Sequence, residues 1–160
     1  MKLPLLTVFT DASFDAATGA AGWAVWAKRD DKGTFFYSAP FKMAMPGSAQ
    51  AEAAAVACAA AVLMKAEWAG GDQHVLIKTD CLSVVDAYGR FAQRPGGKLA
   101  PYKAPVDSLR NAVRCLELRH VKAHVRTGDR IARHWVNERC DIAARAAMMK
   151  AKGAISCQLP

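Results

Sequence analysis

The sequence lacks an apolar run long enough to cross a membrane. Spanning a bilayer as a helix takes roughly 18 or more consecutive apolar residues. The longest apolar run, at residues 53–64, is shorter and rich in alanine. The residues that precede the first strand pattern, 1–4, also lack the apolar region of a signal peptide. We therefore expect a cytoplasmic protein.

Cysteine is scarce, and its spacing excludes two kinds of scaffold. The five cysteines make an odd count and include no pair separated by two residues. A disulfide framework and a structural zinc site are therefore both disfavoured. Because free cysteine is among the most buried residue types, we expect reduced and mostly buried thiols. They are Cys58, Cys81, Cys115, Cys140 and Cys157.

Acidic residues are outnumbered, 14 against 22 lysines and arginines, and the net charge is +8. Much of the excess lies at residues 119–152, which hold nine basic residues and three acidic ones. A basic protein of this kind suits a polyanionic partner such as nucleic acid. A solvated basic face would give the same composition, so charge alone leaves both readings open.

Hydrophobic periodicity and turn residues predict the order βββαβααβα over one domain, residues 1–160. The strands are predicted at residues 5–10, 22–27, 34–41, 75–79 and 115–121. The helices are predicted at residues 49–68, 82–91, 106–114 and 137–152, with Ser48 as a helix N-cap. Residues 93–105 are predicted as a loop, and residues 125–135 have no clear period. This order predicts an α/β fold with a five-stranded mixed sheet flanked by helices.

Two carboxylates directly follow apolar strands of this prediction. Asp11 comes after residues 5–10, and Asp80 comes after residues 75–79. Ligand sites in α/β sheets gather at such strand ends, where a side chain can leave the core. Taken singly, Asp11 could be a turn residue and Asp80 a helix N-cap.

Glu52 has no such ordinary explanation. It lies in an almost wholly apolar helix, and its neighbours one and two turns on are Ala55, Val56 and Ala59. Burying an unpaired charge costs several kcal/mol, and the sequence offers no lysine or arginine within one turn. A divalent cation shared with Asp11 and Asp80 would supply the missing positive charge. Oxygen ligands without thiol or imidazole favour Mg²⁺ or Mn²⁺ over zinc.

Five short motifs occur in order along nearly the whole chain. They are Phe-Thr-Asp-Ala-Ser at 9–13, Gln-Ala-Glu at 50–52, Lys-Thr-Asp at 78–80, Val-Lys-Ala-His at 121–124 and Asn-Glu-Arg-Cys-Asp at 137–141. Each is weak alone, but together the chain closely resembles the ribonuclease H type 1 family, whose element order is also βββαβααβα.

The resemblance implies an endonuclease that hydrolyses the RNA strand of an RNA–DNA hybrid and leaves 3′-hydroxyl and 5′-phosphate ends. It implies that Asp11, Glu52, Asp80 and Asp141 hold two Mg²⁺ ions, with Mn²⁺ able to substitute. Asp141 alone would read as an ordinary acid in the first turn of the last helix. His124 corresponds to the histidine thought to assist proton movement or product release. We expect the enzyme to act as a monomer.

The sequence departs from the family at four places. Alanine replaces the usual glycine at Ala12 and at Ala123, and residues 47–50 lack the asparagine that helps to read ribose 2′-hydroxyls. The segment between His124 and Asp141 is also longer than usual. It contains His134, a second candidate for the proton shuttle.

Several side chains could contact the substrate. Serine and glutamine side chains could read 2′-hydroxyls, arginines could bind phosphates, and aromatic rings could press on sugars or bases. The candidates are Ser13, Ser48, Gln50, Phe91, Arg126, Arg130, Arg133 and Trp135. A core position for Phe91 and Trp135 and a solvated loop for the arginines remain the alternatives.

Two other functions compete with this interpretation. One is a different nuclease of the ribonuclease H superfamily, against which the last two motifs argue. The other is a hybrid- or RNA-binding module that has lost catalysis. The presence of all four carboxylates argues against it, because acids facing phosphate weaken binding.

Overall fold

The computed structural model describes residues 3–89, 97–122 and 132–156. Its strands form one mixed sheet in the order β3-β2-β1-β4-β5. The strands are β1 (Leu5–Phe14), β2 (Ala21–Arg29), β3 (Gly33–Pro40), β4 (Gly71–Thr79) and β5 (Val113–His120). The first three form an antiparallel meander, whereas β4 lies parallel to both β1 and β5.

In the described ranges, four α-helices flank the sheet. They are α1 (Ser48–Lys65), α2 (Leu82–Tyr88), α3 (Ala104–Ala112) and α4 (Ala132–Ser156), with a 3-10 helix at Gly97–Tyr102. Within the described ranges no helix is both long and apolar enough to span a bilayer. The predicted order βββαβααβα and the five-stranded mixed sheet are confirmed.

The two faces of the sheet pack against different helices because side chains alternate along each strand. Leu6 and Val8 of β1 are fully buried in the main core, to which α1 contributes most of its alanines. Phe9 points to the other face, where it packs with Val136 and Cys140 of α4. Asp11 follows Phe9 by two residues and therefore shares the α4 face.

Several element boundaries differ from the sequence prediction. Asp11 lies inside β1 rather than after it, because the ladder with β2 continues past it through the pairs Asp11–Ala24 and Ser13–Gly22. Gly47, not Ser48, is the N-cap of α1, and no side chain caps that end. The helix ends at Lys65, because Glu67 adopts a left-handed φ of 57° before the Trp68 ring packs on Phe35.

The second half of the chain is more helical than its sequence predicts. Part of the predicted loop at 93–105 is the 3-10 helix, and α3 starts at Ala104. The last helix starts at Ala132 instead of residue 137, so Trp135 is helical. Asp141 accordingly lies in the third turn of α4, and its interpretation as a first-turn acid was wrong.

The thiols are free, as predicted. No disulfide joins Cys58, Cys81, Cys115 and Cys140, the cysteines that the structure describes. Only Cys140 is fully buried, and the other three are half-buried, so the expected burial was too strong. Cys157 lies outside the described residues.

Two glycines of the fold make a matched test of the packing between β2 and α4. A Cβ on Gly22 would lie 2.2 Å from the Met148 backbone nitrogen and 2.6 Å from the Ala144 carbonyl oxygen. We expect Gly22→Ala to lower the free energy of unfolding by about 1–3 kcal/mol or more, because backbone atoms must move apart. Urea unfolding measures it.

Gly153 of α4 is the control for this substitution. Outside its own helix backbone, no atom of the described residues lies within 4 Å of a Cβ built there, and alanine is the better helix former by about 1 kcal/mol. Gly153→Ala should therefore raise stability. Equal effects of the two substitutions would contradict the close approach of β2 and α4.

Candidate functional site

Three carboxylates converge at one edge of the sheet. The parallel pair Phe9–Lys78 sets β1 beside β4, so Asp11 and Asp80, each two residues further on, lie side by side. Glu52 reaches them from the second turn of α1. One carboxylate oxygen of each residue lies within 4.8 Å of the others, with Asp11 buried and Glu52 and Asp80 half-buried.

The backbone of Ala12 holds two of these groups together. Its N–H donates to Asp11 Oδ1 at 2.9 Å and to Glu52 Oε1 at 3.1 Å. The other oxygen, Glu52 Oε2, is buried and has no hydrogen-bond partner among the residues that the structure describes. A buried carboxylate oxygen without a partner is costly, and a bound cation would satisfy it.

Burial and mutual repulsion raise the pKa values of this cluster. Burial is the largest cause for Asp11, followed by the charges of Asp80 and Asp141, and the pKa rises from 3.8 to about 7. The pKa of Glu52 rises to about 10, again mainly through burial and then through the charges of Asp11 and Asp80. Ionising all of these groups without a cation is therefore unfavourable. The clustered hard oxygen donors fit Mg²⁺ or Mn²⁺.

Solved structures resemble this chain in fold at low overall sequence identity. No protein-family model and no curated protein matches it. The solved N-terminal RNase H domain of a Mycobacterium tuberculosis protein superposes with a TM-score of 0.71 at 15% identity, over 94% of this chain and 98% of that domain. LC11-RNase H1 in complex with an RNA/DNA hybrid superposes with a TM-score of 0.68 at 19% identity, over 91% of this chain and 98% of that one. RNase H1 of the archaeon Halobacterium salinarum superposes with a TM-score of 0.67 at 16% identity, over 92% of this chain and 99% of that one. The chain has the ribonuclease H fold.

Asp141 lies at the margin of the carboxylate cluster. Its charge contributes to the raised pKa of Asp11, so the two groups interact. Its carboxylate lies 3.3 Å from the Arg145 guanidinium, one turn further along α4. The fourth acid predicted from the sequence therefore interacts with Asp11, but it has a cationic partner of its own.

The structure describes some of the other predicted site residues, and these differ in their exposure to solvent. Ser13 is half-buried in β1, Ser48 is exposed at the start of α1, and Gln50 is nearly buried. His134 is half-buried on α4, and Trp135 is 53% exposed. The predictions for Phe91, His124, Arg126, Arg130 and the side chain of Arg133 fall outside the described residues.

The sequence-based prediction did not identify one residue, His120, that lies at the same edge of the sheet as the carboxylates. His120 ends β5 beside Thr79, the residue before Asp80. Its Nε2 lies 3.0 Å from the Asp80 carbonyl oxygen, so the N–H at Nε2 donates there and orients the turn that carries Asp80. The available signal was an imidazole near the end of the predicted strand at residues 115–121.

The raised pKa values predict how stability depends on pH without metal. Because the folded-state pKa values of Asp11 and Glu52 exceed their ordinary values of 3.8 and 4.5, the folded chain binds more protons than the unfolded chain. The free energy of unfolding should therefore fall as the pH rises from about 5 to 8. Each group can contribute at most about 1.4 kcal/mol per pH unit. Urea unfolding in EDTA measures it.

Asp80→Asn should flatten this dependence, since the Asp80 charge raises both pKa values. Asp72→Asn is the control. Asp72 is an exposed acid of β4 whose carboxylate lies 3.8 Å from Arg114, and its substitution should leave the slope unchanged. A wild-type stability that is flat between pH 5 and 8 would contradict the electrostatic description of the cluster.

Proposed function

We propose that this chain is a ribonuclease H of type 1, an endonuclease that hydrolyses the RNA strand of RNA–DNA hybrids. The observation that carries the proposal is the cluster of Asp11, Glu52 and Asp80 at one edge of a ribonuclease H fold. Among the solved structures that it resembles, one is an RNase H1 in complex with an RNA/DNA hybrid. We also propose that it acts as a cytoplasmic monomer of one domain, as expected from the sequence.

Asp11, Glu52 and Asp80 would hold divalent cations, with Asp141 as an outer ligand. The buried Glu52 Oε2, which has no hydrogen-bond partner in the described part of the chain, supports this assignment. When bound, two Mg²⁺ ions supply Lewis-acid activation of the attacking water and charge stabilisation of the leaving 3′ oxygen, giving 3′-hydroxyl and 5′-phosphate ends. Mn²⁺ would serve the same donor set.

The chain itself supplies orientation. The Ala12 N–H fixes the Asp11 and Glu52 carboxylates relative to each other. His120 fixes the backbone of Asp80 by its hydrogen bond to the carbonyl oxygen. Arg145 pairs with Asp141 at 3.3 Å, and a cation would compete with this guanidinium for the carboxylate. We assign proton movement or product release to His124, with His134 as the second candidate.

Substrate recognition would involve residues of three elements. Ser48 is exposed and Ser13 is half-buried, whereas Gln50 is buried, so Ser48 is the more accessible reader of 2′-hydroxyls in α1. The exposed ring of Trp135 is available to nucleic acid. Phosphate contacts by Arg126, Arg130 and Arg133, and a sugar contact by Phe91, remain proposals from the sequence.

Removing one metal ligand should abolish cleavage. We expect Asp80→Asn to lower the rate on an end-labelled hybrid by at least about a thousandfold, because metal ions provide several kcal/mol of transition-state stabilisation. EDTA should abolish wild-type cleavage. Mg²⁺ should raise the melting temperature of the wild type and not that of Asp80→Asn. Asp72→Asn should behave as wild type, and robust cleavage by Asp80→Asn would refute the assignment.

The substrate panel tests the specificity. With Mg²⁺ the protein should cut RNA in an end-labelled hybrid and leave duplex DNA intact, because only the cut strand's 2′-hydroxyls distinguish the two. A DNA duplex with four embedded ribonucleotides should be cut within the ribose run, and one with a single ribonucleotide poorly. Equal rates on hybrid and duplex DNA would indicate a general nuclease. Binding of hybrid without any cleavage would favour a binding module.

A further inference from the structure

A cavity of about 440 Å³ opens on the face of the sheet that α4 covers only in part. Thr7 and Phe9 of β1 line it, and these residues alternate with the core positions Leu6 and Val8, as Asp11 does. Phe9 precedes Asp11 by two residues, which is about 7 Å along a strand. The cavity therefore lies beside the carboxylate cluster, on the same face, and is separate from it.

Aromatic rings form much of its wall. Phe9 and Trp26 meet edge to face, with ring centroids 5.9 Å apart and planes at 70°. Trp135 lines the cavity from α4 while remaining 53% exposed. The Arg139 guanidinium lies 4.8 Å from its ring, and the same group lies 5.5 Å from the ring of Phe36. This cation–π contact favours the observed position of the indole, which forms part of the cavity wall.

Lysine ammonium groups and threonine hydroxyls also line the cavity. Lys28 of β2 pairs across the ladder with Thr7, and Lys78 of β4 pairs with Phe9, so the two lysines flank β1 from opposite sides. The Lys78 ammonium lies 4.8 Å above the Phe9 ring. Thr34 of β3 adds a second hydroxyl near Lys28. Among the described residues that line the cavity, none is acidic.

We propose that this cavity binds a single nucleotide. Ordinary small-molecule pockets have volumes of about 300–1,000 Å³, so the size suits one nucleotide. The base would stack on the aromatic wall formed by Trp26 and Trp135. The phosphate would bind the ammonium groups of Lys28 and Lys78, and the hydroxyls of Thr7 and Thr34 would meet polar atoms of the sugar or base.

A nucleotide can reach this cavity from two sources, namely as a free nucleoside 5′-monophosphate or as an unpaired residue at the end of a nucleic-acid strand. Both present the same stacked base and anionic phosphate. The inference goes beyond hybrid cleavage, because the cavity contains no member of the carboxylate cluster. It can therefore be tested by binding alone, with cleavage suppressed by EDTA.

Titration of the wild-type protein with adenosine 5′-monophosphate in EDTA tests the cavity directly. We expect saturable shifts of the indole N–H resonances of Trp26 and Trp135, assigned with Trp26→Phe and Trp135→Phe. Trp68, which packs on Phe35 outside the cavity, should not respond. Adenosine and inorganic phosphate should each bind more weakly than the nucleotide, because each lacks one of the two recognised parts.

A matched pair of lysine variants separates local recognition from net charge. Lys28 is exposed, so Lys28→Gln should fold as wild type while weakening nucleotide binding roughly three- to tenfold, the value of one typical hydrogen bond. Lys65→Gln removes the same charge from the exposed end of α1 and should change nothing. No saturable shift at Trp135, or equal losses in the two variants, would overturn the proposal.

The two sources are distinguished with nucleic-acid probes. Affinities for a blunt hybrid and for a hybrid with an unpaired tail are compared by fluorescence anisotropy in EDTA. A gain from the tail that Lys28→Gln abolishes would identify an unpaired strand end as the occupant. Binding of the monophosphate without such a gain would identify the free nucleotide. If the cavity fails both tests while hybrid cleavage persists, the cavity proposal falls and the proposed function stands.

Discussion

The burial and mutual repulsion of carboxylates at one edge of the sheet are the constraint on which the rest of this structure depends. Asp11 is buried, and Glu52 and Asp80 lie close enough for one oxygen of each to fall within 4.8 Å of the others. Without a cation such an arrangement opposes folding, because burial and like charge both disfavour ionisation. The packing on the two faces of the sheet therefore has to hold the three carboxylates close together against their mutual repulsion.

The chain connection explains how three such residues come together. Parallel strands cannot be joined by a tight turn and need a crossover. Here β1 and β4 are parallel neighbours, and the crossover between them consists of β2, β3 and α1. The connection that makes the strands parallel thus also supplies Glu52. The helix can lie close to the sheet because its buried positions are mostly alanine, as at Ala51, Ala55 and Ala59.

The sequence predicted those parts of the site that have a local cause. Glu52 was recognised because an acid surrounded by small apolar residues has no local partner, and Asp80 because it ends an apolar strand. The extent of β1 beyond Asp11 could not be predicted, since it depends on pairing with β2. Residues 132–136 lack a helical period, and Val136 is buried only because Phe9 and Ala24 lie opposite it. His120 acquires a role only when β5 is aligned beside β4.

Helix α4 contributes to the electrostatics of the site through two adjacent residues. Asp141 adds negative potential at Asp11 from the rim, while Cys140 is fully buried against Phe9 and Ala24. Burial, followed by the charge of Asp11, raises the pKa of the Cys140 thiol to about 12. The thiol is therefore neutral near pH 7, and it fills space beside the carboxylates without adding a further negative charge. A side chain here must be small and apolar in effect, because the position faces both the sheet core and the acidic cluster.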